Sequence, residues 1–322
     1  MPDNPAYDLN EIARNRWGRS PPTFSILIGR ASTEDRARIL ETLDALRAQK
    51  ASPTYEVIIA DRLCDSITEL LCVNYPEAQV ICCATGTSLP EQRTLALDKA
   101  NGNYVIITED HCVPQEGWLA NILEAFRAAP ELTVAVGGTI ENGICDTAFD
   151  WATFLCEYSA FVGPIRRGPA GSLPGMNAAY LRSAIIEIDR SVMLRGFWET
   201  TVHPILTQKG LILYLTNSAS ILHKKKFSFA LFAQQRFHYS RYYAGLRFTR
   251  NQVATRWVMC ALTLALPPLL LLRIARNLVM KKRLLPQFLR AIPYLAIFVL
   301  IWAWGEMVGY ISGPGNSLLR VE

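Results

Sequence analysis

Two apolar runs restrict this chain most: WVMCALTLALPPLLLLRIA over residues 257–275 and AIPYLAIFVLIWAWGEMVGYISG over residues 291–313. The first has no charge before Arg273 and the second carries only Glu306. Each approaches the roughly 20 residues that a helix needs to cross a bilayer. The pattern predicts two transmembrane or re-entrant helices over 257–313; a hydrophobic hairpin packed on a soluble domain is the alternative. Pro267, Pro268 and Pro293 predict kinks or helix ends within them.

Charge divides the chain at the same place. Residues 1–222 carry 18 Lys/Arg against 26 Asp/Glu, and residues 223–322 carry 15 against 2, which gives −8 and +13 within the total of +5. Basic residues beside apolar runs suit anionic lipid headgroups. Nucleic acid also takes a basic segment, but it does not account for two apolar runs, so no nucleic-acid partner is expected. The segment KKKFSFALFAQQRFHYSRYYAGLR mixes cations with aromatics, as an interfacial helix does, and Lys224, Lys225 and Lys226 form a candidate headgroup patch. If both runs cross fully, the loop RNLVMKKRLLPQFLR lies outside, against the positive-inside tendency. A re-entrant hairpin avoids that conflict.

Residues 1–21 form a polar extension with Arg14, Arg16 and Arg19 and no apolar signal region, which predicts a main domain on the cytoplasmic side of the cell membrane. The eight cysteines show no CxxC spacing, so neither a disulfide framework nor a structural zinc site is expected.

FSILIGR (24–30), YEVIIAD (55–61), AQVICC (78–83) and NYVIITED (103–110) read as strands. EDRARILETLDALRAQ and LPEQRTLALDKANG read as helices between them, the second stopped at Gly102. This alternation predicts an α/β domain over residues 22–225 around a mostly parallel sheet flanked by helices. Ligands of such sheets bind beyond the carboxyl ends of the strands, where Arg30, Asp61 and Glu109-Asp110-His111 fall. Three polar sites on one edge predict a pocket for a phosphorylated ligand. Neither GxGxxG nor GxxxxGK[ST] follows the first strand.

In this order, EVIIADRLCD, LPEQRTLALDKANGNYVIITEDHCVPQEGWL, LPGMNAAYLRSAI and GFWETTVHPILTQKG resemble a family 2 glycosyltransferase with the GT-A fold. The resemblance implies inverting transfer from a nucleoside diphosphate sugar, with uridine the family's habit, to a membrane-embedded or lipid-linked acceptor. It implies that Asp61 contacts the base or ribose, with Arg93 near the nucleotide; Arg30, at the end of the first strand, is a further candidate to bind the phosphorylated ligand. It places Glu109, Asp110 and His111 at the diphosphate and its Mn2+ or Mg2+ ion, with Glu109 and His111 as metal ligands. The usual last acid of that motif is His111, for which direct phosphate contact and a structural role stay open. Gly175 allows close backbone approach and Asn177 is placed to bond a sugar hydroxyl.

The resemblance also makes Glu199 the catalytic base, with Phe197 and Trp198 as an apolar wall. Thr200 stands where the family carries a second acid, and His203, one turn on, is the rival base. Arg166 and Arg167, in the preceding Gly- and Pro-rich loop, are candidates for phosphate contact. Ala233 and Phe237 replace the Gln and Trp of processive synthases around Arg236, which favours a single addition. Glycolipid, exopolysaccharide and cell-envelope glycan synthesis are the implied settings, with room for a homo-oligomer or an envelope-biosynthesis complex. A non-catalytic nucleotide-sugar scaffold and a nucleotidyltransferase on a similar fold are the alternatives.

Overall fold

The computed structural model describes residues 21–49, 52–248 and 252–322; the polar extension lies outside them except for its last residue. The four expected strands are β1 (Phe24–Arg30), β2 (Tyr55–Asp61), β3 (Ala78–Cys82) and β4 (Tyr104–Glu109). They run parallel in the order β3-β2-β1-β4. All seven residues of β1 are buried, since helices cover both faces of the sheet. Phe24, Ile26 and Ile28 face α1 (Arg38–Arg47) and α2 (Ser66–Asn74). Leu27 faces α3 (Leu89–Leu97) on the other side. Each of α2 and α3 starts at a capping box, Asp65 with Thr68 and Ser88 with Glu91, in which side chains take up orphan backbone N–H groups. α3 ends at Leu97, before the Gly102 stop.

Strand register sets the site. β1 and β2 pair with Arg30 opposite Asp61, and β1 and β4 pair with Gly29 opposite Glu109. The polar residues seen at three strand ends therefore stand level on one edge.

Beyond β4 come β5 (Cys112–Pro114), α4 (Trp118–Ala128), β6 (Thr133–Asn142), α5 (Ala148–Tyr158), β7 (Gly168–Ala170) and β8 (Ala178–Leu181). Helices α6 (Arg182–Ile186), α7 (Arg190–Arg195) and α8 (Trp198–Gln208) then lead to β9 (Ile212–His223). The sheet continues as β4-β8-β6-β9-β5, with β7 on β9 and β8 antiparallel to both neighbours. The mostly parallel sheet is thus a mixed one of nine strands. A bulge between Gly137 and Thr139 brings the Ala219 carbonyl so close to Gly138 that no Cβ fits there. Past it, β9 pairs with β5 so that His223 lies opposite Cys112.

The basic segment forms α9 (Phe229–Arg247), and the apolar runs form α10 (Val253–Leu262), α11 (Leu266–Lys281) and α12 (Leu285–Ser312). A 3-10 turn over Thr263–Ala265 joins α10 to α11 as one 29-residue helix. Pro267 and Pro268 sit at the start of α11, where the lost N–H has no intrahelical partner; Pro293 lies inside α12 without ending it. Both units are long and apolar enough to cross a membrane. Trp257, Val258, Leu264, Leu269 and Leu272 point outward, so this pair is the chain's membrane-associating element.

The pair is also fastened to the α/β domain. Phe298 of α12 packs against Phe149 of α5 at 6.0 Å and Phe232 of α9 at 4.5 Å between ring centres. Such pairs contribute about 0.5–1.5 kcal/mol each beyond buried area. At the turn between the helices, Lys281 Nζ donates to the carbonyls of Ser159, Ala160 and Val162 at 2.9, 2.7 and 2.6 Å. Arg283 pairs with Glu141 at 3.0 Å. At the far end of α12, Arg247 of α9 donates to Tyr310 Oη at 3.0 Å. The last residues return to the domain, where Val321 is buried and Thr33 donates its N–H and hydroxyl to the Glu322 carboxylate at 2.8 and 2.7 Å. The eight cysteines are all unpaired.

Candidate active site and metal centre

A cleft of about 320 Å³ opens at the carboxyl edge of the sheet, between the domain and the C-terminal helices. Arg93, Glu109, His111, Glu199, His223 and Lys225 are among its lining residues. Alternation along the chain after β4 decides which of the Glu-Asp-His run face it. Glu109 and His111 turn to the cleft; Asp110 turns to the loop after β1. There its carboxylate accepts from the backbone N–H groups of Ala31 and Ser32 at 3.2 Å each and from Ser32 Oγ at 2.8 Å. His111 Nδ1 donates to it at 2.7 Å.

This last bond leaves His111 Nε2 directed inward, 3.1 Å from His223 Nε2 and 3.3 Å from Glu109 Oε2. One ligand atom from each of Glu109, His111 and His223 lies within 4.8 Å of the others. Atoms bound at about 2.0–2.2 Å to one cation stand about 3 Å apart when adjacent, so the group is spaced for a metal ion. One carboxylate and two imidazoles suit Mn2+-like ions better than Mg2+, which prefers oxygen. Asp110 is the outer carboxylate that fixes the histidine tautomer. Burial raises the Glu109 carboxyl, but His111, Arg93 and Lys225 outweigh it and hold the group below its ordinary range. Burial likewise raises Asp110, and His111 and Ser32 bring it down to about 2. Burial pushes His223 well below the ordinary imidazole range, and His111 and Lys225 push it further.

Glu199 stands in the first turn of α8 and lines the same cleft. Arg93, only 3% exposed, reaches from α3 to bridge it to the metal group, with Nη1 3.5 Å from Glu199 Oε2 and Nη2 3.2 Å from Glu109 Oε1. Tyr239 of α9 donates to Glu199 Oε1 at 3.4 Å, and its ring stacks on Phe197 at 4.9 Å. Gly175 is needed here, because a Cβ would stand 2.9 Å from the Glu199 carboxylate. Trp198 points the other way, into the core against Tyr180.

Several expected site residues are engaged by other parts of the chain. His203 does not line the cleft. The Leu173 N–H donates to its Nδ1 at 3.4 Å, which leaves the proton on Nε2, 2.7 Å from Tyr180 Oη. Burial, and then Arg93, bring its pKa down to about 4. Arg30 and Asp61 are wholly buried and pair with each other at 2.8 Å. Arg30 also holds Asp65 at 2.8 Å, while Asp61 accepts from Thr68 Oγ1 at 2.7 Å and the Leu63 N–H at 2.8 Å. Both brace the strand ends and neither lines the cleft. Asn177 is committed as well: Trp118 Nε1 donates to its Oδ1 at 2.9 Å, and its Nδ2 donates to the Thr139 and Ala219 carbonyls at 2.9 and 3.1 Å. That bridge satisfies the bulge at Gly138. Arg167 donates to Tyr214 Oη at 2.9 Å. The lysine patch is split, with Lys224 paired to Glu41 at 2.7 Å, Lys225 in the cleft and Lys226 exposed.

Sequence reasoning missed His223, Lys225 and Tyr239 as cleft residues. His223 carried the same signal as His111, a histidine ending an apolar strand, in SASILHKKK. Arg236 also lines the cleft, ion-paired with Glu157 and set over the Phe232 and Trp302 rings at 5.0 and 5.4 Å.

Residues 32–189 match the family described as "Glycosyl transferase family 2". The fold is similar to that of the mannosyltransferase PcManGT from Pyrobaculum calidifontis, solved with GDP-Man and Mn2+, at 17% identity and a TM-score of 0.51 over 91% of this chain and 86% of that one. S. aureus TarS 1-349 aligns at 13% identity and a TM-score of 0.44 over 88% and 90%. GalNAc-T7, solved with UDP, GalNAc and Mn2+, aligns at 13% and 0.48 over 65% of this chain and 45% of that one. No curated protein matches the chain in sequence.

Proposed function

The chain is a family 2 glycosyltransferase with the GT-A fold, and from that premise we propose a single, inverting sugar transfer from a nucleoside diphosphate sugar to a membrane-embedded acceptor. One observation carries the reading: a single buried guanidinium, Arg93, ties the carboxylate of the metal group to the carboxylate across the cleft. Glu109, His111 and His223 are the residues that would hold a Mn2+-like ion. Such an ion, when bound, neutralises the diphosphate charge that grows as the donor bond breaks.

The chain's own side chains supply the rest. Arg93 and Lys225 place two cations on the cleft wall for the phosphates. Glu199 takes the proton of the acceptor hydroxyl as that oxygen attacks the anomeric carbon and the nucleoside diphosphate leaves with the bonding electrons. Tyr239 and Arg93 hold the carboxylate in place from two sides. Bound GDP-Man and Mn2+ in the mannosyltransferase of like fold support the same two ligand classes here. Because the tie of Lys281 and Arg283 to the domain keeps the hairpin turn on the domain's side, we read the hairpin as re-entrant, on a catalytic domain facing the cytoplasm.

The test is a panel of UDP- and GDP-sugars offered to the detergent-solubilised chain, with Mn2+ or with EDTA. The reading predicts that one donor protects the protein from thermal unfolding and is slowly hydrolysed in Mn2+ alone. Absence of protection and hydrolysis with every donor refutes it and favours a non-catalytic scaffold.

A further inference from the structure

After α12, residues 313–322 fold back along α9 to the carboxyl edge of the sheet. Gly313 and Gly315, at φ +78° and +53°, turn the chain where a side chain would be strained. α9 then holds the segment along its length. Ser317 Oγ lies 3.2 Å from His238 Nδ1. Gln235 grips the next turn from both sides, its Nε2 donating to the Arg320 carbonyl at 3.2 Å and its Oε1 accepting from the Glu322 N–H at 3.1 Å.

Where the segment arrives decides what it can do. The strand order β3-β2-β1-β4 reverses between β1 and β4, and an open α/β sheet takes its ligand in the crevice beyond such a point. Val321 and Glu322 both line the cleft there, on the β1 side. Val321 is buried in a small apolar cluster with Ala31 of the loop after β1, Leu89 of α3 and Phe197. The Glu322 carboxylate takes the Thr33 N–H and hydroxyl described above and stands 3.8 Å from the Lys225 ammonium. The Lys225 and Glu322 side chains are only 3% and 9% exposed, so solvent screens their attraction little. Lys225 is one of the two cations that the transfer reading gives to the phosphates. An apolar side chain and an anion thus fill the place, and those are the two features that a nucleoside diphosphate would bring.

We propose that residues 313–322 are an autoinhibitory strap: Val321 and Glu322 occupy the nucleotide side of the cleft, and the donor enters by displacing them. The inference rests on the transfer reading above and adds to it a control on donor entry. The closed strap lowers apparent nucleotide affinity by the fraction of molecules in which it is open. Weakening its hold on Lys225 and Thr33 therefore tightens nucleotide binding without touching a residue of the metal group or the base.

The experiment uses the full chain in neutral detergent, with UDP and GDP as probes in Mn2+ and calorimetry as the readout. Glu322→Gln removes the charge that holds Lys225 and should bind nucleotide about tenfold tighter than the parent. Val321→Ala leaves the charge, loosens the apolar contact and should give a smaller gain. Glu131→Gln, an equal charge change at an exposed position between α4 and β6 and outside the cleft, should change nothing. In the parent, saturating nucleotide should speed hydrogen–deuterium exchange of the backbone amides of residues 318–322. Unchanged or weaker nucleotide binding by Glu322→Gln overturns the strap. So does slower exchange of residues 318–322 on nucleotide binding, which would make the segment a lid that closes over its ligand. Equal nucleotide binding by the parent and all variants removes the strap and leaves the transfer reading standing, whereas no binding of either nucleotide to any of them refutes both.

Discussion

Replacing Glu199 by glutamine should remove most of the transfer activity and leave the nucleotide bound. The change keeps the shape; the new amide oxygen accepts from Arg93, and the amide NH2 then faces the Tyr239 hydroxyl oxygen, which can accept from it. Arg93 is nearly fully buried, but it retains Glu109 at 3.2 Å, so no charge is left without a partner. The structural loss is therefore that of weakening one charge-assisted hydrogen bond, about 1 kcal/mol. In a domain of this size that lowers Tm by about 2–4 °C. A general base contributes roughly 10²–10⁴-fold, which at about 1.36 kcal/mol per decade is about 2.7–5.4 kcal/mol of barrier. The catalytic effect exceeds the structural one, and the two can be read apart. Transfer of labelled sugar, calorimetric nucleotide binding and thermal unfolding should be measured on the same preparation. His203→Ala is the control: it loses the Tyr180 and Leu173 contacts, so it should unfold several degrees lower yet retain transfer per folded molecule. If Glu199→Gln transfers within tenfold of the parent, or if nucleotide affinity falls in step with the rate, the base assignment is wrong.

Three further outcomes are expected. His223→Ala should weaken Mn2+-dependent nucleotide binding by about 10–100-fold, seen as a shift of the Mn2+ titration midpoint, while binding in EDTA is unchanged; equal affinities would remove His223 from the metal group. His203 has its folded pKa brought down to about 4 by burial, so the unfolded chain binds its proton first as pH falls below about 6.5. Its contribution to stability is complete above about pH 6.5 and is lost towards pH 4, by about 3 kcal/mol in all. His203→Gln should flatten that slope in denaturant titrations between pH 4 and 7. Lastly, a single cysteine at position 282, in a chain whose exposed cysteines are serine, should react with a membrane-impermeant maleimide from the catalytic-domain side of sealed vesicles only. Labelling from the opposite side would show that both helices cross.

What the sequence made legible was local. FSILIGR and YEVIIAD are buried strands because an unbroken run of apolar residues has one stable place, inside a sheet covered on both faces. Glu109 and His111 were visible because polar groups at strand ends need a partner or a purpose; Glu199 was marked by the resemblance. The direction of each side chain was not visible. Asp110 differs from Glu109 only in facing the loop after β1, which follows from the pleat once the strand is placed. Arg30 and Asp61 were located on the right edge, but only the parallel register sets them opposite each other and so turns them into a buried pair. His223 stands 112 residues from His111, and no local pattern joins them; the pairing of β9 with β5 does. Asn177 was hidden by the same rule, since its three partners belong to α4, β6 and β9.

The C-terminal helices raise a larger question, whether the membrane element is an attachment or part of the fold. An attachment could be cut away at residue 251, leaving a soluble catalytic domain. The packing argues otherwise. Phe288, Leu295 and Phe298 of α12 belong to the same buried cluster as Phe24, Ile26 and Ile28 of the central strand. At about 1.5–3 kcal/mol for each such side chain buried, these three contribute about 4.5–9 kcal/mol, comparable to the whole stability of a typical domain. Removal also strips Arg273, Trp302, Val321 and Glu322 from the lining of the cleft. The truncated chain of residues 1–250 should therefore fail to fold cooperatively, appear in inclusion bodies or bind hydrophobic dyes, and show no nucleotide-dependent thermal shift. Recovery of a soluble, cooperatively melting 1–250 fragment that binds nucleotide with the affinity of the full chain would contradict the argument. It would return the hairpin to the role of an anchor.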